Sequence, residues 1–307
     1  MDDKQQLALR FSQALNEHIA NIESLGVAYG SNRLYAIETG SGGRYVVKMP
    51  KAVRERVSPF WQQMAAIYGI DRVTQLTALP AVVERLQQQP IIPVPQVIQV
   101  AAAQGVPDAA YAIVTQLTGV VHEPDEFPAS ADIHDQLGQY VGYLHRQSYA
   151  GYGNVSAAQL APKASFKAAL VANMHRTVTT FWRDEPALHT QIEQIRALVD
   201  PDALFSTAAL IMIDISANQF VYQNDQISGV VDLDAYVIGP REWELAILEL
   251  CITDPVAFRQ GYERHSTLPS FAPFRAIYRL WSYLTEPQQR YDAAHFTQFM
   301  QRALYFA

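Results

Sequence analysis

The chain has 307 residues, 49% of them apolar and 17% charged, enough side chains to bury one large core or two ordinary ones, which excludes disorder as its main state. A formal net charge of -7 leaves no basic field to hold a nucleic-acid backbone or an anionic membrane surface. The single cysteine, Cys251, excludes an internal disulfide and reads as a small buried hydrophobe in ELAILELCI, which points to the cytoplasm.

The first residues, MDDKQQLALRFSQALNEH, never build the apolar run of a signal peptide, so export is not expected. Residues 4 to 18 place Leu7, Leu9, Phe11 and Leu15 at mostly helical intervals and predict a short amphipathic helix. The period then changes. NRLYAIET and RYVVKMP read as a β-hairpin with Gly40, Gly42 and Gly43 in its loop, preceded by the turn signal GVAYGSN. Residues 58 to 89 return to helical spacing, with Pro80 expected to start a new helix at AVVERLQQQ.

PIIPVPQVIQV forces an extended path into a strand, YAIVTQL (111 to 117) reads as a buried strand, and VHEPDEFPAS as a connector. A lobe boundary is expected near 118. Beyond it come the helical IHDQLGQYVGYLHRQ, a glycine-rich turn at AGYGNVS and helical residues from 165 to 200. The strands LIMIDI, QFVYQ and SGVVDL follow, then about 60 residues of helix. No apolar run approaches the roughly 20 residues of a bilayer span. A small β-rich lobe followed by a mainly helical one is an α+β arrangement.

Three stretches, taken in order, resemble the aminoglycoside phosphotransferase, choline kinase and fructosamine kinase superfamily. GVAYGSNRLYAIETGSGGRYVVKMP is similar to that family's Gly-Ser-Asn turn, two strands and strand lysine. LIMIDISANQFVYQNDQISGVVDLDAYVIGPREWELA resembles its catalytic loop, hairpin and metal-binding aspartate. FRQGYERHSTLPSFAPFRAIYRLWSYL looks like its closing helices. The resemblance implies a bilobal protein-kinase-like fold, with residues 1–118 as a nucleotide-binding lobe and 119–307 as a catalytic and substrate-binding lobe. It implies ATP or GTP and Mg2+ as cofactors. The acceptor would be a hydroxyl of a small molecule such as an aminoglycoside, fructosamine, choline-like alcohol or sugar. The partners would be nucleotide and acceptor alone, for a monomer or weak homodimer with no nucleic acid and no membrane.

Phosphoryl transfer needs its reactants positioned and the phosphate charge neutralised. The resemblance gives Gly30, Ser31 and Asn32 the loop over the phosphates, where a glycine admits close backbone approach; taken alone they are an ordinary turn. Lys48, flanked by Val46 and Val47 on a strand, would contact phosphates, and alone is a solvated strand-end lysine. Asp214 would accept the hydroxyl proton, the bland alternative being a turn or cap carboxylate. Asp232 would hold magnesium, with Asp234 a second carboxylate on the same side of a period-two strand.

The chain also departs from the pattern. The family's His-Gly before the catalytic aspartate is Met212 and Ile213, and Gln219 stands where the second metal ligand, usually asparagine, is expected, with Asn218 beside it. Glu84 is the nearest glutamate to orient Lys48, although alignment through Val83 and Leu86 puts Leu79 there. Glu242 and Glu244 would brace the helix start and catalytic loop, and His145 reads as a packing histidine. Tyr236, Trp243, Trp182 and Trp281 are candidates for an acceptor pocket or for core. Without HExxH, a G-x-S-x-G elbow or a Walker A sequence, zinc, hydrolase and P-loop chemistries drop out. A catalytically weak or inactive kinase fold that binds a nucleotide or metabolite as a regulator is the alternative function.

Overall fold

The computed structural model describes residues 3–26, 32–51, 58–70, 74–101, 110–199, 204–285 and 291–307. Gly30 and Ser31 lie outside them. The first third forms α1 (Asp3–Leu15) and strands β1 (Ile19–Ser24), β2 (Asn32–Thr39) and β3 (Arg44–Pro50). Helices α2 (Pro59–Tyr68) and α3 (Thr74–Leu86) and strands β4 (Val97–Ala101) and β5 (Tyr111–Thr115) follow. The strands form one antiparallel sheet in the order β1-β2-β3-β5-β4. Phe11 of α1 packs with Ile37, Val47, Met49 and Ile113 on one sheet face. Because strand side chains alternate, that burial turns Val46 and Lys48 to the opposite face.

Pro80 does not begin a helix. It lies inside α3, where it forfeits one intrahelical hydrogen bond. Leu76, Leu79, Val82, Val83 and Leu86 are all buried on the side of the large core, and that packing outweighs the lost bond. Helices α2 and α3 therefore share their core with the C-terminal helices, although the sheet itself ends at Thr115.

The larger part begins with β6 (Val120–Val121), α4 (Ala131–His145), β7 (Gly151–Tyr152) and β8 (Ala161–Pro162). Then come α5 (Phe166–Phe181), α6 (Ala187–Leu198), β9 (Ala208–Met212), β10 (Phe220–Gln223), β11 (Gln226–Val230) and β12 (Tyr236–Pro240). The chain closes with α7 (Arg241–Leu248), α8 (Pro255–Glu263), α9 (Arg275–Leu284) and α10 (Ala293–Gln301). The result is α+β, as expected. Strand β9 pairs with β12 instead of the intervening hairpin, and β6 adds a third strand to β10–β11.

Gly119 links β5 to β6 with φ +139, and a Cβ there would meet Ser228 Oγ at 2.5 Å and the Tyr222 carbonyl at 2.9 Å. Any side chain would push the crossing between the two parts apart. Among the described residues no helix is long and apolar enough to cross a membrane.

Candidate active site

Lys48 reaches across from the sheet to two carboxylates. Its Nζ lies 2.5 Å from Asp232 Oδ1 and 2.5 Å from Asp234 Oδ2. Asp234 Oδ2 also accepts from Asn32 Nδ2 at 3.1 Å, so the first residue of β2 helps to hold this carboxylate. Asp234 is 5% exposed and Asp232 41%, which makes the first a fixed part of the fold and the second an accessible group. Burial alone would lower the Lys48 ammonium's pKa, but Asp232 and Asp234 overcome it and hold the value raised. Burial raises the Asp234 carboxyl against the pull of Lys48.

The two aspartates are not on a strand. β11 ends at Val230, whose partner Phe220 is the first residue of β10, and the last rung is Val231 N–H donating to the Gln219 carbonyl at 2.9 Å. Beyond it the chain is free of the ladder and turns, so that both carboxylates meet one ammonium, which a shared strand face would not require.

Asp214 follows β9 in a turn. Its pKa is pushed up to about 8, first by burial and then by the charges of Asp232 and Asp234, with Lys48 opposing. Its Oδ1, like Asp234 Oδ1, is buried with no hydrogen-bond partner among the described residues. Two orphaned carboxylate oxygens are costly unless a cation or a donor arrives.

The turn is held by a buried chain of polar contacts. Glu244 of α7 accepts the Met212 N–H at Oε1, 2.7 Å, and lies 2.6 Å from His145 Nε2 at its other oxygen. A carboxylate only accepts, so His145 donates from Nε2, while Nδ1 meets the Tyr262 hydroxyl at 3.0 Å. α4 and α8 approach closely enough for this because a Cβ on Gly138, Gly142 or Gly261 would collide with backbone of the facing helix. Glu244 thus supports the turn that Met212 leads into. Glu244→Ala strands two buried donors and should cost about 2–4 kcal/mol, read as a fall of roughly 5–10 °C in melting temperature. A change within one degree would remove the brace.

Two cavities flank these groups. One, of about 280 Å³, is walled by Leu34, Val46, Ala112 and Val114 of the sheet and by Val221 and Val231 opposite, and ends at Lys48, Asp232 and Asp234. Leu79 also lines it. Glu84, by contrast, is exposed on α3, and the two carboxylates that Lys48 meets are Asp232 and Asp234. The expectation that Glu84 orients Lys48 is therefore corrected in favour of Leu79 at the cleft. The helix is set by burying Val82, Val83 and Leu86, and that rotation turns Glu84 outward.

The second cavity, of about 520 Å³, has Asp214 in its wall. Phe60, Asp125, Glu126, Trp281, Phe299 and Arg302 also line it, and they come from four distant segments with no legible motif. Of the four aromatic candidates only Trp281 is there. Trp243 is stacked on Tyr278, Tyr236 bonds the Tyr140 hydroxyl, and the Trp182 indole donates to the Leu284 carbonyl, all in the core. Gln219 donates from Nε2 to the Asp214 carbonyl at 3.5 Å, whereas Asn218 is committed to Asp125 and Ser216.

Among the described residues no three His, Cys, Asp or Glu side chains converge as a metal cage. The pair Asp232 and Asp234 nevertheless fits a hard divalent cation. Magnesium commonly takes one or two carboxylates and fills its remaining positions with phosphate oxygens and water. Asp234 keeps an unpaired oxygen, and a lysine ammonium already stands between the two acids as a cation.

A family model described as a phosphotransferase enzyme family matches residues 29–277. Among solved structures, the macrolide 2'-phosphotransferase MphH from Brachybacterium faecium superposes with a TM-score of 0.61 at 16% identity, over 98% of this chain and 99% of its own. A candidate fructosamine-3-kinase from Thermobifida fusca gives 0.62 at 17% identity, over 97% and 96%. The ADP-bound aminoglycoside phosphotransferase APH(2'')-Ib gives 0.58 at 15%, over 98% and 97%. Identities this low speak to the fold alone. No curated protein sequence matches the chain.

Proposed function

Because the chain belongs to the phosphotransferase enzyme family, we propose that it is a kinase that uses ATP or GTP with magnesium to phosphorylate a hydroxyl of a small molecule. The observation that carries this reading is the position of Asp214, in the wall of one cavity and electrostatically coupled to the Lys48, Asp232 and Asp234 cluster that closes the other. The apolar cleft suits a flat base, and Lys48 at its end suits the phosphates. Asp214 is the base. It accepts the acceptor's hydroxyl proton as the oxygen bonds to the terminal phosphorus and the bond to the bridging oxygen breaks, releasing the nucleoside diphosphate. Asp232 and Asp234, with the Gln219 amide nearby, would hold the magnesium, which when bound neutralises phosphate charge.

Gly30 and Ser31, with Asn32, are proposed for the phosphate loop, although the first two lie outside the described residues. Binding without turnover is the second reading, favoured by Gln219 standing where an asparagine is expected as second metal ligand and by Met212 and Ile213 standing where the pattern has His-Gly. Nucleotide binding itself is tested by melting. A ligand at a hundred times its Kd adds about 2.7 kcal/mol to the folded state, so millimolar Mg-ATP or Mg-GTP should raise the melting temperature, and Lys48→Ala should shrink the rise. No shift and no calorimetric heat with either nucleotide would sink the proposal.

A further inference from the structure

Part of the wall around the Asp214 cavity comes from a segment that its own local preferences do not hold in place. Phe299 and Arg302, at the end of α10 and just beyond it, line that cavity together with Leu250 and Cys251. No helix or strand follows Gln301, and Ala303 takes φ 51, a left-handed conformation that costs free energy for a residue with a Cβ. Leu304 and Tyr305 are exposed, so apolar burial fastens residues 302 to 306 mainly through Phe306. At its outer side the segment is linked by Arg302 to Glu126, and both side chains are half exposed, where an ion pair contributes little.

What fastens the segment is a buried charge cluster. The guanidinium of Arg279, on α9, is 0% exposed and donates to three of its carbonyls: Met300 at 3.2 Å, Ala303 at 3.0 Å, and Arg302. The first of these belongs to the last turn of α10, where a cation also suits the helix dipole. Glu249, after α7 and equally buried, takes the opposite polarity. Its Oε1 accepts the N–H groups of Tyr305 and Phe306, each at 3.0 Å, and its Oε2 lies 2.7 Å from Arg279 Nη2. Arg275 completes the cluster as a two-point partner of the same carboxylate, at 2.7 and 2.8 Å. One carboxylate and one guanidinium thus hold the backbone of residues 300 to 306 by its donors and its acceptors. Neither side chain lines the Asp214 cavity or the nucleotide cleft.

We propose that Arg279 and Glu249 are positioning residues for the acceptor: they hold residues 299–306 as a strap that walls the Asp214 cavity, and breaking their hold releases the strap as a local unit while the nucleotide cleft stays intact. This inference rests on the reading of that cavity as the acceptor's site. A segment with few apolar contacts and one weak outer link is the kind that opens without the rest of the fold.

The single cysteine reports on the strap. Cys251 is buried in the same wall, with Sγ 3.7 Å from the Ile215 carbonyl, and burial pushes its thiol up to about 12. Labelling of the full chain by the neutral disulfide dithiodipyridine should therefore be slow in the parent. Arg279→Met removes the strap's carbonyl partner and should speed labelling by about tenfold or more. The rise should persist nearly unchanged in urea below the unfolding transition, because local opening exposes little new surface. Calorimetric affinity for Mg-ADP should stay within about twofold of the parent, since the cluster lies in neither cavity wall. Tyr305→Pro deletes one N–H donor to Glu249 from an exposed residue and leaves the cluster in place. It should speed labelling by a smaller factor, and it carries the test if Arg279→Met does not fold.

Labelling no faster than the parent's, a rise that steepens with urea as whole-chain unfolding does, or Mg-ADP affinity that falls in step with the labelling overturns the inference. The nucleotide arm keeps the two readings apart. Faster labelling in a protein whose parent gives no Mg-ADP heat defeats the kinase reading and leaves the strap as the wall of this cavity, whereas unchanged labelling beside normal Mg-ADP heat does the reverse.

Discussion

Asp214→Asn is expected to lower phosphoryl transfer by about 10² or more, the usual scale for losing a positioned base, and at the same time to make the protein more stable. The two effects share a cause. In the fold the Asp214 carboxyl titrates at about 8, against 3.8 for an ordinary aspartate, because burial and then Asp232 and Asp234 disfavour its charge. Between those values the unfolded chain has released the proton while the folded chain keeps it, so the unfolded state binds fewer protons and stability falls as pH rises. The loss is complete above the folded value. Asparagine has no proton to release, so the variant's advantage should be near zero at pH 4 and grow to roughly 2–6 °C in melting temperature near pH 8. Paired melts of parent and variant from pH 4.5 to 8.5, without nucleotide or divalent cation, measure it. A difference that does not change with pH would mean that Asp214 is not the strained group.

How far the site was legible depends on how local its signals are. Lys48 was readable through the resemblance that RYVVKMP carries, and the burial of Val47 and Met49 beneath α1 fixes where the lysine goes. Asp214 stood out as a charge closing the apolar run LIMI, and the structure leaves one of its oxygens buried without a partner. Asp232 and Asp234 were legible as a pair but not as a loop, since nothing in GVVDLD marks where the ladder with β10 runs out. Strand β12 escaped notice because all five of its residues are buried and show no alternation. Pro80 misled for a related reason, in that a local rule was overruled by the burial of five neighbours in one core. The acceptor cavity was beyond reach. Phe60, Asp125, Glu126 and Arg302 meet only through the packing of α2, the loop before α4 and the C-terminal helices, and no spacing in the sequence records that meeting.

Asp232→Asn is expected to lower turnover by about 10²–10³, the scale for removing one charge-stabilising group from a transition state, and to abolish the magnesium dependence of nucleotide binding. Asp234→Asn should do less to turnover. The difference follows from their surroundings: Asp232 is half in solvent with Lys48 as its partner at Oδ1, whereas Asp234 is buried and its Oδ2 is shared by Lys48 and Asn32. The first is accessible to a metal and the second holds the ammonium in place. That ammonium has a further consequence. Lying 2.5 Å from both carboxylates, it already supplies the positive charge they need, and a divalent cation arriving alone would meet its repulsion. Nucleotide phosphates offer Lys48 another partner and bring oxygens for the metal, so each ligand should tighten the other by the same factor. Manganese titrated into the parent without nucleotide should therefore bind weakly, and Lys48→Met should strengthen that binding about tenfold or more, while weakening nucleotide binding. If Asp232→Asn and Asp234→Asn affect turnover equally, or if manganese binds the parent and Lys48→Met alike, the ammonium does not compete for the metal position and the assignment of Asp232 as the principal ligand fails with it.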